Sequence, residues 1–448
     1  MIMARDGRIS KARPCDWPVL LGRLMPPSVW SGFRGQVAEN GDPRVRWSIK
    51  LVVLGWSLIG WSVQSGLTDR FAEAFGCLAK LYVRRRRPGR TLAGFTKASV
   101  RLGSAVFLIL WRCIRERLPR LLGPAWTWGG WVVLAADGSR LDAPRTRANE
   151  KRPGCAGQDK THPQWWVTCI IHLPSRLLWE WRLGPADSAE RTHVREMCRH
   201  LPENALLVAD AGFVGFDLFC DLLEAGVQVL VRGHRGVRLL SDAPAGALEQ
   251  RGDGQVYLWP QNRRGQSPLA LRLVVLKRQG KRVYLLTSVL EPTRLSRAEA
   301  GRIYAARWGI ETGYRALKQT MQRRRLQART PGVGEVELAG SLLALALLLA
   351  LSALVLRARI DRVSIAAALR AIRRALEALR WGASTRACVR RLEQAVRDEY
   401  QRRSSKRARD WPHKKTASPA GRPQLRRPTR REFTRIQAAN TAANRVDS

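Results

Sequence analysis

Acids and histidine are in short supply in this chain. Against 79 lysines and arginines stand 36 aspartates and glutamates and 6 histidines, a formal net charge of +43 over 448 residues. So one-sided a balance argues for a polyanionic partner, because each phosphate neutralised by a cation releases condensed counterions. Nucleic acid and an anionic membrane surface are the two candidates. The 8 cysteines contain no Cys-x-x-Cys pair, which speaks against a disulfide framework and leaves a reducing cytosol as the expected compartment. His193, Cys198 and His200 lack the spacing of a zinc site. The opening residues, Met1-Ile-Met-Ala-Arg-Asp6, have no apolar core of a secretion signal, and the sequence has no internal repeat.

Two runs carry no charge at all, Leu51–Thr68 and Leu338–Leu356. Either is long enough to cross a bilayer. The first holds three serines, a glutamine and three glycines. The second lacks interfacial aromatics and lies between charged helices. Both read as buried core helices, and no membrane partner is expected.

Pattern divides the chain into four parts. Residues 1–125 read as an all-helical N-terminal region suited to DNA binding, with a basic linker at Arg84–Arg90. Residues 126–358 form an α/β core. Its strand-like runs are Trp131–Ala136, Trp165–Leu173, Leu177–Leu183, Ala205–Ala209 and Gln228–Arg232, with a helix over about 215–225. Within it, about 233–292 is a β-rich insertion, with strands at Gln255–Trp259, Leu269–Lys277 and Arg282–Val289. Residues 359–401 are C-terminal helices, a candidate dimerisation segment. Residues 402–448 read as a basic tail, disordered unless bound. The last 48 residues hold 14 Lys/Arg and three acids, a net of 14 − 3 = +11, so most of the excess charge belongs to the remainder.

Chemistry concentrates at three acids. Asp137 and Asp210 each close a short hydrophobic strand, and the carboxyl ends of α/β strands face the crevice where ligands bind. Asp142, Asp217 and Asp221 are nearby rivals. A helix capped by Ser296 is predicted to run through Tyr304-Ala-Ala-Arg307-Trp-Gly-Ile-Glu311 to Lys318. At about 100° per residue, steps of three, seven and fourteen return Tyr304, Arg307, Glu311 and Lys318 to one face, with Arg315 in the same arc. Gly309 and Gly313 each cost such a helix about 1 kcal/mol against alanine, so packing must support it. Carboxylates without His or Cys partners suit a hard cation, Mg²⁺ or Mn²⁺, and two such ions clamp the attacking and leaving oxygens of a phosphoryl transfer. The seventeen tryptophans suit core packing or base stacking. Trp165, Trp166 and Trp308 stand nearest the acids, and Trp308 is kept as a DNA contact.

The spacing Tyr, two residues, Arg, three residues, Glu, six residues, Lys resembles the YREK signature of bacterial insertion-sequence transposases of the DDE superfamily, the IS-four family. Asp137-Gly-Ser and Ala209-Asp210-Ala-Gly-Phe resemble that family's first two acidic blocks, although Asp-Arg-Gly is often seen where this chain has Asp210-Ala-Gly. The resemblance covers about 130–355. It implies a ribonuclease-H-like mixed sheet core, with Asp137, Asp210 and Glu311 as catalytic residues binding two Mg²⁺ ions (Mn²⁺ substituting). It further implies Arg307 and Lys318 as phosphate contacts and Tyr304 as a backbone-positioning residue. The expected partner is double-stranded DNA, both the element's terminal inverted repeats and the target. The expected assembly is a homodimer in the synaptic complex, working in the prokaryotic cytoplasm at the nucleoid. A non-catalytic basic DNA-binding protein, or an inactive transposon-derived copy, is the alternative.

Overall fold

The computed structural model describes residues 17–37, 46–81, 89–156, 161–278, 281–356, 362–397 and 421–446. The basic linker at Arg84–Arg90 lies largely outside them. The chain divides into two compact units, one of residues 1–123 with 316–398, the other of residues 124–315 with 399–448. The division departs from the sequence reading, which kept everything from 126 to 358 together. The long apolar helix Pro331–Leu356 belongs to the helical unit, because hydrophobic surface on nearly every side of it demands an all-round partner.

That helix is the axis of the first unit. It is long and apolar enough to cross a membrane, yet 89% of its most apolar window is buried inside the protein. It packs on helix Ile49–Trp61, which Ser48 starts by accepting the Leu51 N–H. Glycines let the two backbones approach: a side-chain carbon at Gly340 would meet Trp56 Cβ at 2.6 Å. The Trp61 indole N–H donates to the Ala344 carbonyl at 2.8 Å. A buried ion group lies at the same level. Glu337 accepts the Gln327 and Ala328 N–H groups, while the Arg323 guanidinium donates to the Ile59 and Gly60 carbonyls. Burial pushes the Glu337 carboxyl up and draws Arg323 down to about 9.

The second unit is built on one sheet. Its strands are β1 (Val132–Asp142), β2 (Gln164–His172), β3 (Leu178–Gly184), β4 (Ala205–Ala209), β5 (Gln228–Arg232), β6 (Arg238–Leu240), β7 (Asp253–Leu258), β8 (Leu269–Arg278), β9 (Lys281–Thr287) and β10 (Gln424–Arg426). They lie in the order β10-β6-β7-β8-β9-β5-β4-β1-β2-β3. The half β3-β2-β1-β4-β5, with β1, β4 and β5 parallel and β2 antiparallel to β1, is the ribonuclease-H-like arrangement. Buried runs such as Ala205–Ala209 belong in central parallel strands covered on both faces. The β-rich insertion is not a separate layer. It extends the same sheet, because β9 pairs antiparallel with β5.

The C-terminal tail contradicts its sequence reading over residues 421–446, which are folded. β10 adds in parallel to the edge strand β6, and helix Arg430–Val446 follows. Glu432 takes a bidentate contact from Arg426, at 2.6 and 2.8 Å, and an ion pair from Arg264 at 3.2 Å. Ile436 is only 1% exposed. Composition alone misses this, since one apolar residue and one acid anchor an otherwise basic, polar segment.

Candidate functional site

Strand register places the first two acids. The parallel pairing of β1 with β4 ends at Ala135 opposite Val208, so Asp137 and Asp210 each lie two residues beyond it, at the same end of the strand pair. Asp137 sits within β1, which continues to Asp142 and does not end at Ala136. Asp210 follows β4 directly, and its Oδ1 accepts the Gly212 N–H at 2.8 Å. The same register, carried into β5, sets Arg232 level with Asp210. Arg232 was not singled out from sequence. The available signal was a cation closing a buried strand, just as an aspartate closes β4.

The segment bearing Glu311 is not one helix. Arg297–Ala306, started by a capping box of Ser296 and Glu299, ends before Arg307. A second helix spans Gly309–Arg315, and a π-helical turn Ala316–Thr320 follows. The single-face geometry expected of a continuous helix is therefore broken at Arg307-Trp308. Tyr314 restores the alignment by another route. Its buried hydroxyl donates to the Asp137 carbonyl at 2.7 Å and accepts the Cys169 N–H at 3.1 Å. It lies three residues beyond Glu311, so one helical turn links that carboxylate to the strand residue Asp137. Gly309 sits in ordinary contact with Leu173 and nothing approaches Gly313, so the glycines do not mark a close crossing.

The acids share one electrostatic neighbourhood. Burial foremost, then the charges of Asp210 and Glu311, raise the Asp137 carboxyl to about 6 against the opposing pull of the Gly138 amide and Arg307. A fourth acid, Glu190, joins them. Burial, then Asp137 and Asp210, raise it to about 7. It opens helix Glu190–Met197, and a side-chain carbon at Gly138 would meet its Oε1 at 2.5 Å, so Glu190 packs directly against the residue after Asp137. Sequence reading missed Glu190, which is one of several acids near predicted helix starts. Asp217 and Asp221 drop out as rivals, being engaged by Arg263 and Arg195 respectively. Asp142 accepts from Gln164 at 2.9 Å.

Cations and a phenol border the acids. Arg307 Nη2 lies 3.6 Å from Glu311 Oε1, with the side chains 12% and 36% exposed. Its guanidinium sits over the Tyr304 ring at 5.8 Å, and its Nε is buried without a hydrogen-bond partner. The Tyr304 hydroxyl is raised by burial and feels Arg307, Arg232 and Asp210. Arg315 is exposed, and Trp308 is 63% exposed. Lys318 lies on the π-helical turn, in the first unit. Trp165 is buried, while Trp166 carries the Arg140 guanidinium over its ring at 4.7 Å. Among the described residues, no three His, Cys, Asp or Glu side chains converge closely enough to hold a metal ion as they stand. The donor chemistry nonetheless fits a hard divalent cation: crowded, half-buried carboxylates with raised proton affinity, supplied only with oxygen.

Residues 128–347 match the transposase DDE domain family. Over 230 residues the chain is 32% identical to transposase InsG for insertion sequence element IS4 of Escherichia coli (strain K12). That match covers 48% of this chain and 51% of the relative, so the chain spans about half the length of the curated relative it matches. A cryo-EM structure of the piggyBac transposase synaptic complex with hairpin DNA aligns over 84% of this chain and 91% of its own at a TM-score of 0.37 and 15% identity, too remote to bear on the site. Over residues 128–347 the chain therefore carries a region similar to the DDE domain of transposases, and its likeness to the IS4 transposase points to the same superfamily.

Proposed function

We propose that this protein is a DNA transposase that cuts at the ends of an insertion sequence and joins the freed strand to target DNA. The observation that carries the reading is Asp137 in β1 and Asp210 just past the end of the neighbouring β4, with Glu311 one helical turn from Tyr314, whose hydroxyl meets the Asp137 carbonyl. Asp137, Asp210 and Glu311 would hold the metal, two Mg²⁺ ions or Mn²⁺ in their place. When bound, these ions supply an activated water and stabilise the leaving oxygen of an in-line displacement. The protein's own contribution is alignment and charge. Arg307 and Arg232 flank the acids with cations suited to a DNA phosphate, and the half-buried Tyr304 phenol supports the backbone between them.

Arg315 and Trp308, both exposed, extend the proposed DNA contact, and Lys318 is proposed as a phosphate contact in its own right. The substrate is double-stranded DNA with terminal inverted repeats. A homodimer follows from the need to bring two ends together. The N-terminal helices are assigned to DNA binding, the 359–401 segment to dimerisation, and the cytoplasmic nucleoid is the proposed place of work.

The test is cleavage of a linear duplex carrying the cognate terminal repeats, in Mg²⁺ or Mn²⁺. The unmodified chain should cut, and Asp210→Ala or Glu311→Ala should lower the rate by about a hundredfold or more, the scale of losing a group that stabilises transition-state charge. Cleavage undiminished in both variants refutes the assignment. DNA binding without any metal-dependent cutting would leave a basic DNA-binding protein.

A further inference from the structure

We infer that the folded C-terminal arm, residues 421–446, is a second duplex-DNA contact built onto the far edge of the catalytic sheet, gripping the phosphate backbone through Arg427, Arg430 and Arg431. The inference rests on the DNA-transposase reading and adds a surface to it.

The arm is held as a structural part of the second unit. β10 lies in register with β6, Gln424 opposite Arg238 and Arg426 opposite Leu240. The Arg435 guanidinium donates to the Arg264 carbonyl at 2.7 Å, the Asn440 amide donates to the Tyr257 hydroxyl at 3.0 Å, and Ile436 is buried. Glu432 is the knot. Its contacts with Arg426, a backbone hydrogen bond at Thr429 and the charge of Arg264 draw its carboxyl down to about 2.

With Glu432 committed, three arginines are left over. The side chains of Arg427, Arg430 and Arg431 are exposed and have neither acid nor hydrogen-bond partner among the described residues. Phe433, 39% exposed, stands beside them. Arg430 and Arg431 occupy the first turn of their helix, where the backbone favours anions and cations cost stability. The placement therefore has no internal electrostatic reason and suits an external polyanion. Arg235 and Arg238, exposed on the adjoining stretch, extend the basic surface.

Six inter-strand steps separate β10 from β4, about 29 Å along the sheet. At about 3.4 Å per base pair, a duplex engaging both the acids and the arm must span more than about eight base pairs.

The test is equilibrium binding of the full chain to a 30-base-pair duplex without divalent metal, over a salt series. Arg427→Gln/Arg430→Gln/Arg431→Gln should bind about tenfold or more weakly near 0.1 M salt. Its log–log salt slope should be shallower by about 2 to 3, close to one unit per lost phosphate contact. Arg427→Lys/Arg430→Lys/Arg431→Lys should keep the wild-type slope. A glutamine variant with unchanged slope and affinity overturns the arm's role alone, since cleavage activity tests the catalytic reading separately. A chain that binds phosphatidylserine vesicles but no duplex overturns both.

Discussion

Asp137 and Glu190 both hold protons more tightly in the folded protein than an exposed carboxyl does, and this links the site to stability. Their folded values, about 6 and about 7, lie above the ordinary 3.8 and 4.5. The native state therefore binds more protons than the unfolded chain between about pH 4 and 7, and the metal-free protein loses stability as pH rises through that window. Glu190→Gln removes one member of the cluster without removing its bulk. The variant should gain melting temperature relative to wild type at pH 8 and gain little or nothing at pH 5. A difference independent of pH would show that Glu190 does not share charge with Asp137 and Asp210. At this scale the sequence was partly legible. Asp137 and Asp210 stood out because each follows a run of apolar residues, and a carboxylate after such a run has few reasons to be there. Glu190 and Arg232 did not stand out, since their significance lies in what register and packing set beside them.

Between elements, the decisive link is one phenol. Tyr314 ties the Glu311 helix to β1 at Asp137 and to β2 at Cys169, through the hydroxyl of a buried side chain. Removing that hydroxyl leaves a buried carbonyl and a buried amide without their partner, at a cost of about 1–3 kcal/mol. Tyr314→Phe should therefore lower the melting temperature and reduce DNA cleavage while leaving metal-free DNA affinity near wild type. Unchanged cleavage with reduced stability would make Tyr314 a packing residue only. Strands were well forecast, with Ala205–Ala209 and Gln228–Arg232 found at their expected bounds. Short apolar runs between turn residues leave little freedom. The break between the helices at Arg307-Trp308 was not forecast, because the motif's spacing satisfies an ideal helix and only tertiary contacts end the first one there.

Across the molecule, the chain leaves the helical unit after residue 123, builds the sheet, and returns at 316 to supply the helix on which the first unit packs. That return is why a boundary drawn by composition failed. Pro331–Leu356 follows the catalytic segment in sequence, but its apolar surface is completed by Ile49–Trp61. The extended sheet serves two ends: acids at the β1–β4 junction and a basic arm at its far edge. Excess charge of +43 spread over such a body accords with a long duplex as partner, whereas the acids accord with a cation between protein and phosphate. The most direct measurement is calorimetric titration of the DNA-free chain with Mn²⁺, on wild type and on Asp137→Asn, Asp210→Asn and Glu311→Gln. Saturable binding in wild type, weakened about tenfold or more by each substitution, is the predicted result. Binding that none of the three alters would contradict the claim that these carboxylates share a divalent cation.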